Sequence, residues 1–153
     1  MDALIEKVNK SNYLEIVEVW EASVRATHHF LKEADIAYFK PLILNNYLDA
    51  VELRCIKNEN NRIIGFLGVA EDNLEMLFIH PEDRGKQIGK SLLTYAINDL
   101  KVSKVDVNEQ NEQAVGFYQH CGFEVIGRSA LDASGKPYPM LHMQLKTRME
   151  KGE

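Results

Sequence analysis

The stretch "HPEDRGKQIGKSLL", His80 to Leu93, joins an apolar run to an amphipathic one through a turn, two glycines and three basic residues. Pro81 stops the strand predicted over Leu74 to Ile79, since proline cannot donate to a ladder. Beyond it Ile88, Leu92, Leu93, Ala96 and Leu100 share one helical face, which predicts a helix of about four turns from near Lys86 to Lys101. Strand, loop and helix are therefore contiguous. The first N–H groups of such a helix lack intrahelical partners and carry partial positive charge, so the loop can bind an anion if its backbone stays accessible. Arg84, Lys86 and Lys90 add full charges. Two readings stand here: a phosphate or pyrophosphate held by backbone donors, or a turn at Gly85 beside solvated cations. The stretch reads neither as a P-loop nor as the dinucleotide fingerprint with its three spaced glycines.

Composition narrows the class. A chain of 153 residues, 45% hydrophobic and 27% charged, suits one compact domain, residues 1–147, followed by a charged tail, 148–153. A net charge of −5 argues against a nucleic-acid binder driven by phosphate neutralisation. Cys55 and Cys121 have no metal-ligand spacing, and neither a signal peptide nor a membrane-spanning run is seen, so a reducing, cytoplasmic setting is expected with no metal and no membrane partner.

The elements follow from pattern. Leu4 to Val8 alternates as a strand, and Ser11 is expected to cap a helix whose apolar stripe is Tyr13, Ile16 or Val17, Trp20 and Val24. Glu33 to Leu48 reads as a second helix bent near Pro41, after a loop over Arg25 to Asp35. Strands at Val51 to Ile56 and Ile63 to Val69 flank "KNENNR", whose asparagines tolerate the positive φ of a hairpin turn. Lys104 to Asn108 reads as a strand. Ala114, Phe117, Tyr118 and Cys121 mark a short helix, which Gly122 ends in the left-handed conformation. Phe123 to Ala130 and Pro137 to Leu145 close the chain as strands. This is an α/β order, β-α-α-β-β-β-α-β-α-β-β, implying a mixed sheet.

A second constellation, Asn111-x-x-Ala114-x-x-Phe117-Tyr118-x-x-x-Gly122-Phe123, lies downstream of Arg84-x-x-x-x-Gly89. With these paired motifs and this element order, the chain resembles the GNAT superfamily of acetyl-CoA-dependent N-acetyltransferases. "DVNEQNEQAVGFY", "GRS" and "GKPYP" narrow the likeness to its bacterial YjaB-type branch of small acetyltransferases. The resemblance implies a mostly antiparallel sheet of about seven strands with helices on both faces, in which two parallel strands splay apart at the cofactor site. It implies acetyl-CoA as co-substrate, a primary amine on a small molecule, peptide or protein as acceptor, and it allows a homodimer. The competing reading is an acyl-CoA sensor or subunit without turnover.

By the same resemblance, backbone donors of Arg84, Gly85, Lys86, Gln87, Ile88, Gly89 and Lys90 hold the CoA pyrophosphate. Leu77, Phe78 and Ile79 pair with the pantetheine and acetyl group, and a backbone N–H there can stabilise a developing oxyanion. Asn111 either hydrogen-bonds the pantetheine arm or only caps its helix. Tyr118 either protonates the departing thiolate or is a core aromatic; an ordinary phenol is protonated at neutral pH. Glu75 is the candidate base for the acceptor, acting through water, or else a solvated strand carboxylate. Arg25, His28, His29, Tyr138 and His142 are candidate acceptor-site residues. Arg25 has the alternative of pairing with a carboxylate, the adjacent histidines of being exposed, and Tyr138 and His142 of being ordinary sheet-face residues. Gln87 departs from the family pattern by standing where its first motif glycine belongs, and is expected in an ordinary helical conformation.

Overall fold

A computed structural model describes residues 5–146, so Leu4 and the charged tail at 148–153 lie outside the described residues. Seven strands and four α-helices occur among them in the expected order. They fall into two compact units, one ending at Val102 and one beginning at Ser103.

In the first unit β1 (Ile5–Lys7), β2 (Glu52–Lys57), β3 (Ile63–Ala70) and β4 (Asn73–Ile79) pair in that order, every pair antiparallel. β2 and β3 are joined by the predicted asparagine turn, with Asn61 at φ 64° and the Asn58 side chain accepting from the N–H groups of Asn60 and Arg62. Along β3 and β4, Gly68 faces Met76 and Val69 faces Leu74, which leaves Glu75 as the extra residue of a β-bulge.

α1 (Tyr13–Thr27) buries Ile16, Val17, Trp20 and Val24, packing with Cys55, Ile63 and Phe66 of the sheet. Ser11 does not cap it. Asn9 and Asn12 close a preceding 3₁₀ turn, the Asn9 N–H donating to Asn12 Oδ1 at 2.9 Å and the Asn12 N–H to Asn9 O at 2.8 Å. The expected long loop is also shorter. Arg25 stays helical, its guanidinium held by Glu21 one turn back, so the connection is only His28 to Lys32.

α2 (Glu33–Leu42) stops well before Leu48, and the chain continues as a π turn, Ile43–Tyr47, and a 3₁₀ turn, Leu48–Ala50. Pro41 lacks the N–H that would close the ladder at this point, and the widened turn follows directly.

α3 (Ile88–Asp99) begins two residues later than expected and buries Ile88, Leu92, Leu93 and Ala96. Gly65 of β3 allows it to lie close: a Cβ there would stand 3.0 Å from Ile79 Cδ1, 3.2 Å from Ile88 Cγ2 and 3.3 Å from Leu92 Cδ1.

In the second unit β5 (Lys104–Asn108) pairs with β7 (Met140–Leu145), which pairs with β6 (Phe123–Ser129), both antiparallel. α4 (Glu112–His120) packs Tyr118 against Phe123, and Gly122 follows at φ 102°, the predicted left-handed stop. The register of β6 on β7 slips between Val125 and Gly127, giving a second bulge.

Candidate active site

The loop before α3 has the character its sequence suggested and a backbone it did not. Pro81–Asp83 form a 3₁₀ turn, and the N–H of Glu82 donates to His80 Nδ1 at 3.2 Å. Gly85 is left-handed, at φ 83°, and no atom lies within 4 Å of where its Cβ would be. Gln87 is left-handed too, at φ 66° and ψ 14°, and not helical as expected. It is the N-cap of α3, its carbonyl accepting from Ser91 N–H at 3.0 Å, and the αL turn redirects the chain from the loop into the helix axis. A non-glycine residue pays for that conformation in steric contact between Cβ and its own carbonyl.

The N–H groups of Ile88, Gly89 and Lys90 in the first turn of α3 have no intrahelical acceptor to reach. Lys90 is exposed, and Lys86 lies over Asp83, its Nζ 3.1 Å from Oδ1. Gly89-Lys90-Ser91 spells the ending of a P-loop, but the pattern's leading glycine is Arg84 here and the triplet lies inside the helix. An open Gly85, helix N–H donors and lysines suit an anionic diphosphate, and the geometry thus fits the cofactor class the motifs implied.

β4 leads directly into this loop. Phe78 packs on Phe66 with ring centroids 5.7 Å apart, and Leu77 sits opposite Leu67 on β3. Glu75, at the bulge, is exposed and accepts from Asn73 Nδ2 at 2.7 Å.

His28 follows α1, its ring 5.2 Å from Phe30 and 6.3 Å from Phe78. Contrary to the expectation for a loop histidine pair, only His29 is exposed. Burial, then the neighbouring His29, push the His28 pKa down to about 4, so its imidazole is neutral at pH 7. Thr27 Oγ1 donates to Ser23 O at 2.8 Å, which leaves His28 Nδ1–H as the donor in the 2.8 Å contact with Thr27 Oγ1. Arg25 donates to Glu21 at 2.8 Å and through both terminal nitrogens to Glu33, at 2.8 and 2.7 Å. Its guanidinium takes the carboxylate-pairing alternative.

In the second unit Asn111 is the N-cap of α4, its Oδ1 accepting from Ala114 N–H at 3.2 Å. Seven residues on, Tyr118 is 7% exposed, edge-on to Phe117 and Phe123. Burial, with a smaller contribution from Cys121, pushes its phenol well above the ordinary value, so it keeps its proton at neutral pH.

Tyr138 is buried but precedes β7, separated from it by Pro139, so strand alternation does not set it beside His142. His142 lies in β7, directly opposite Asp106 of β5 and Gly127 of β6. Its Nδ1 is 2.7 Å from Asp106 Oδ1, and its Nε2 is 2.6 Å from Ser129 Oγ. No spacing in the sequence links Asp106 or Ser129 to His142; only strand pairing does. Among the described residues no group of three His, Cys, Asp or Glu side chains could hold a metal ion, and no helix is long and apolar enough to cross a membrane.

With strand, loop and helix in this arrangement, comparison with known proteins assigns the class. The acetyltransferase (GNAT) domain model matches residues 21–146, and the chain belongs to this family of acyltransferases. Among individual proteins it is similar to the peptidyl-lysine N-acetyltransferase YjaB of Escherichia coli strain K12, 40% identical over 129 residues, which cover 84% of this chain and 87% of that protein. YjaB of Salmonella typhimurium is 39% identical over 128 residues, covering 84% of this chain and 88% of that protein. The solution structure of apo-form YjaB from Escherichia coli superposes with a TM-score of 0.84 at 36% identity, covering 94% of this chain and 97% of that one.

Proposed function

We propose that this protein moves an acetyl group from acetyl-CoA directly to the ε-amine of a lysine in a peptide or protein. The observation that carries the donor is the N-terminus of α3, where Gly85 and Gln87 turn the backbone and leave helix N–H groups open to an anionic diphosphate. The acceptor is supported by the name of its relatives, peptidyl-lysine N-acetyltransferase. The net charge of −5 also suits a cationic acceptor.

In this reading the residues from Arg84 to Lys90 bind the diphosphate, and Leu77, Phe78 and Ile79 align the acyl arm along β4. The Asn111 side chain has both an acceptor, used in the cap, and an NH₂ donor, which serves the pantetheine amide. Acetyl-CoA supplies a carbonyl activated as a thioester. Tyr118 holds a proton at neutral pH and gives it to the departing sulfur as general acid. Glu75, exposed at the bulge of β4, accepts the acceptor's proton through water.

The test is release of free CoA thiol with a lysine peptide, together with the mass of the acetylated product. Tyr118→Phe is expected to lower kcat by about 10²-fold or more while acetyl-CoA still binds. Unchanged turnover in that variant would remove the acid role, and acetyl-CoA binding without acetylation of any amine would mark a sensor.

A further inference from the structure

Within the first unit, His80 stands between the two halves of the cofactor reading, directly after Ile79 of β4 and just ahead of the diphosphate loop that opens at Arg84. Its backbone ties both sides of that junction. The His80 N–H donates to Ile64 O of β3 at 2.8 Å, one residue past the paired Ile79 and Gly65, and its carbonyl accepts from Asp83 N–H at 2.9 Å. Pro81 follows, which confines His80 to the extended backbone it shows, φ −58° and ψ 135°. The imidazole adds a third bond, Nδ1 accepting from Glu82 N–H at 3.2 Å. A backbone amide only donates, so the amide sets the direction of this bond. Asn58, Asn108 and Asp132 make the same pattern elsewhere, each accepting from the N–H two residues on, at 2.9, 3.0 and 2.9 Å. His80 thus does for this turn what a short amide or carboxylate does for the others. The tie continues into the loop through Asp83, whose side chain is only 15% exposed and accepts from Lys86 Nζ at 3.1 Å. Gly85, with no atom within 4 Å of its Cβ position, brings no packing that could hold the stretch instead.

We propose that His80 is a positioning residue that fixes the spacing between the acyl-arm strand and the diphosphate loop; the proposal rests on the acetyl-CoA reading above. A ligand that binds at two linked points gains from the second only where the two are held at its own span. Without the imidazole bond the 3₁₀ turn keeps one tie fewer, and the loop beyond it samples other arrangements. Observed affinity then falls with the fraction of molecules that keep the competent one. Neither half of the site loses a contact of its own, so the cost falls on the ligand that spans both.

The experiment compares two acetyl donors, acetyl-CoA and S-acetylpantetheine, which has the same thioester and arm but no diphosphate. Acetylation of a lysine peptide is followed in the unsubstituted enzyme and in His80→Ala, His80→Leu and His80→Asn. Circular dichroism confirms folding, and either of the first two variants suffices if folded. Loss of the acceptor nitrogen is expected to raise the KM for acetyl-CoA about fivefold, the effect of a lost cap, with kcat within about twofold. With S-acetylpantetheine kcat/KM is expected to stay within about twofold, because that donor does not span the junction. His80→Asn is expected to bring the acetyl-CoA KM back to within about twofold, since its Oδ1 accepts from the same N–H. An equal loss with both donors would overturn the proposal by making His80 a general support of the fold. An unchanged acetyl-CoA KM in folded His80→Ala or His80→Leu would overturn it too, as would a His80→Asn variant no better than these. The alanine and asparagine arms decide the matter even where the shorter donor reacts too slowly to follow. Those outcomes leave the transferase reading in place, whereas failure of the unsubstituted enzyme to bind acetyl-CoA would overturn that reading and the positioning role together.

Discussion

Gln87 shows how one residue can carry both the departure from a family pattern and the conformation that pattern serves. At φ 66° it adopts the backbone a glycine takes with no steric cost, so the cradle keeps its shape while the side chain stores strain. Gln87→Gly is therefore expected to raise stability by about 0.5–1 kcal/mol, since relief of strain is partly offset by the freer unfolded chain. A rise in the urea midpoint at constant m-value is the measurement. Because the backbone is already left-handed, acetyl-CoA affinity is expected to change by less than about tenfold, ~1.4 kcal/mol, in a direct titration. His28 yields a second expectation at this scale. Its folded pKa, about 4, lies below the ordinary 6.5, so the unfolded chain binds the proton first as pH falls. The neutral, packed imidazole favours the fold fully above pH 6.5, and that contribution is lost progressively down to about pH 4. The loss is up to about 3 kcal/mol at 1.36 kcal/mol per unit. Urea unfolding of His28→Gln across this range is expected to show a shallower fall than the unsubstituted protein. The burial that lowers this pKa was not legible in "THHF", where two adjacent histidines carry no sign of which one turns inward.

Among the elements, α3 was the most legible because its period is local: five apolar positions at three- and four-residue steps describe a face without any knowledge of what covers it. What covers it is β3, through Gly65. Gly65→Ala is expected to destabilise the protein by about 1–3 kcal/mol, because the added methyl meets Ile79, Ile88 and Leu92 at 3.0–3.3 Å in a packed interior. Thermal or urea unfolding measures it. α2 was less legible. Its apolar pattern runs on past Leu42, yet the missing N–H of Pro41 hands the chain to a π turn, a backbone outcome that side-chain periodicity does not report. The cap of α1 was misplaced by one residue, since Asn12 and not Ser11 is the N-cap, and the Asn12 side chain turns back to accept from the Asn9 N–H and makes no cap bond to the helix.

For the whole chain, linkage gives the broadest expectation: a ligand that binds only the folded protein stabilises it by about 2.7 kcal/mol at a hundred times its Kd. Acetyl-CoA at that concentration is expected to raise Tm by several degrees, whereas inorganic pyrophosphate, which offers only part of the contacts, shifts it less. Equal shifts would mean that the loop before α3 recognises phosphate without the acyl arm. By itself the sequence determined the order of seven strands and four helices, the contiguity of β4, loop and α3, and the motifs of the acetyltransferase family, because periodicity, turn residues and motif spacing all act over a few neighbours. Only the tertiary structure decided that Gln87 is left-handed, that His28 is packed and neutral, and that Asp106, His142 and Ser129 meet across three strands. Those outcomes depend on strand register and burial, which set distances between residues tens of positions apart and which a local pattern leaves open.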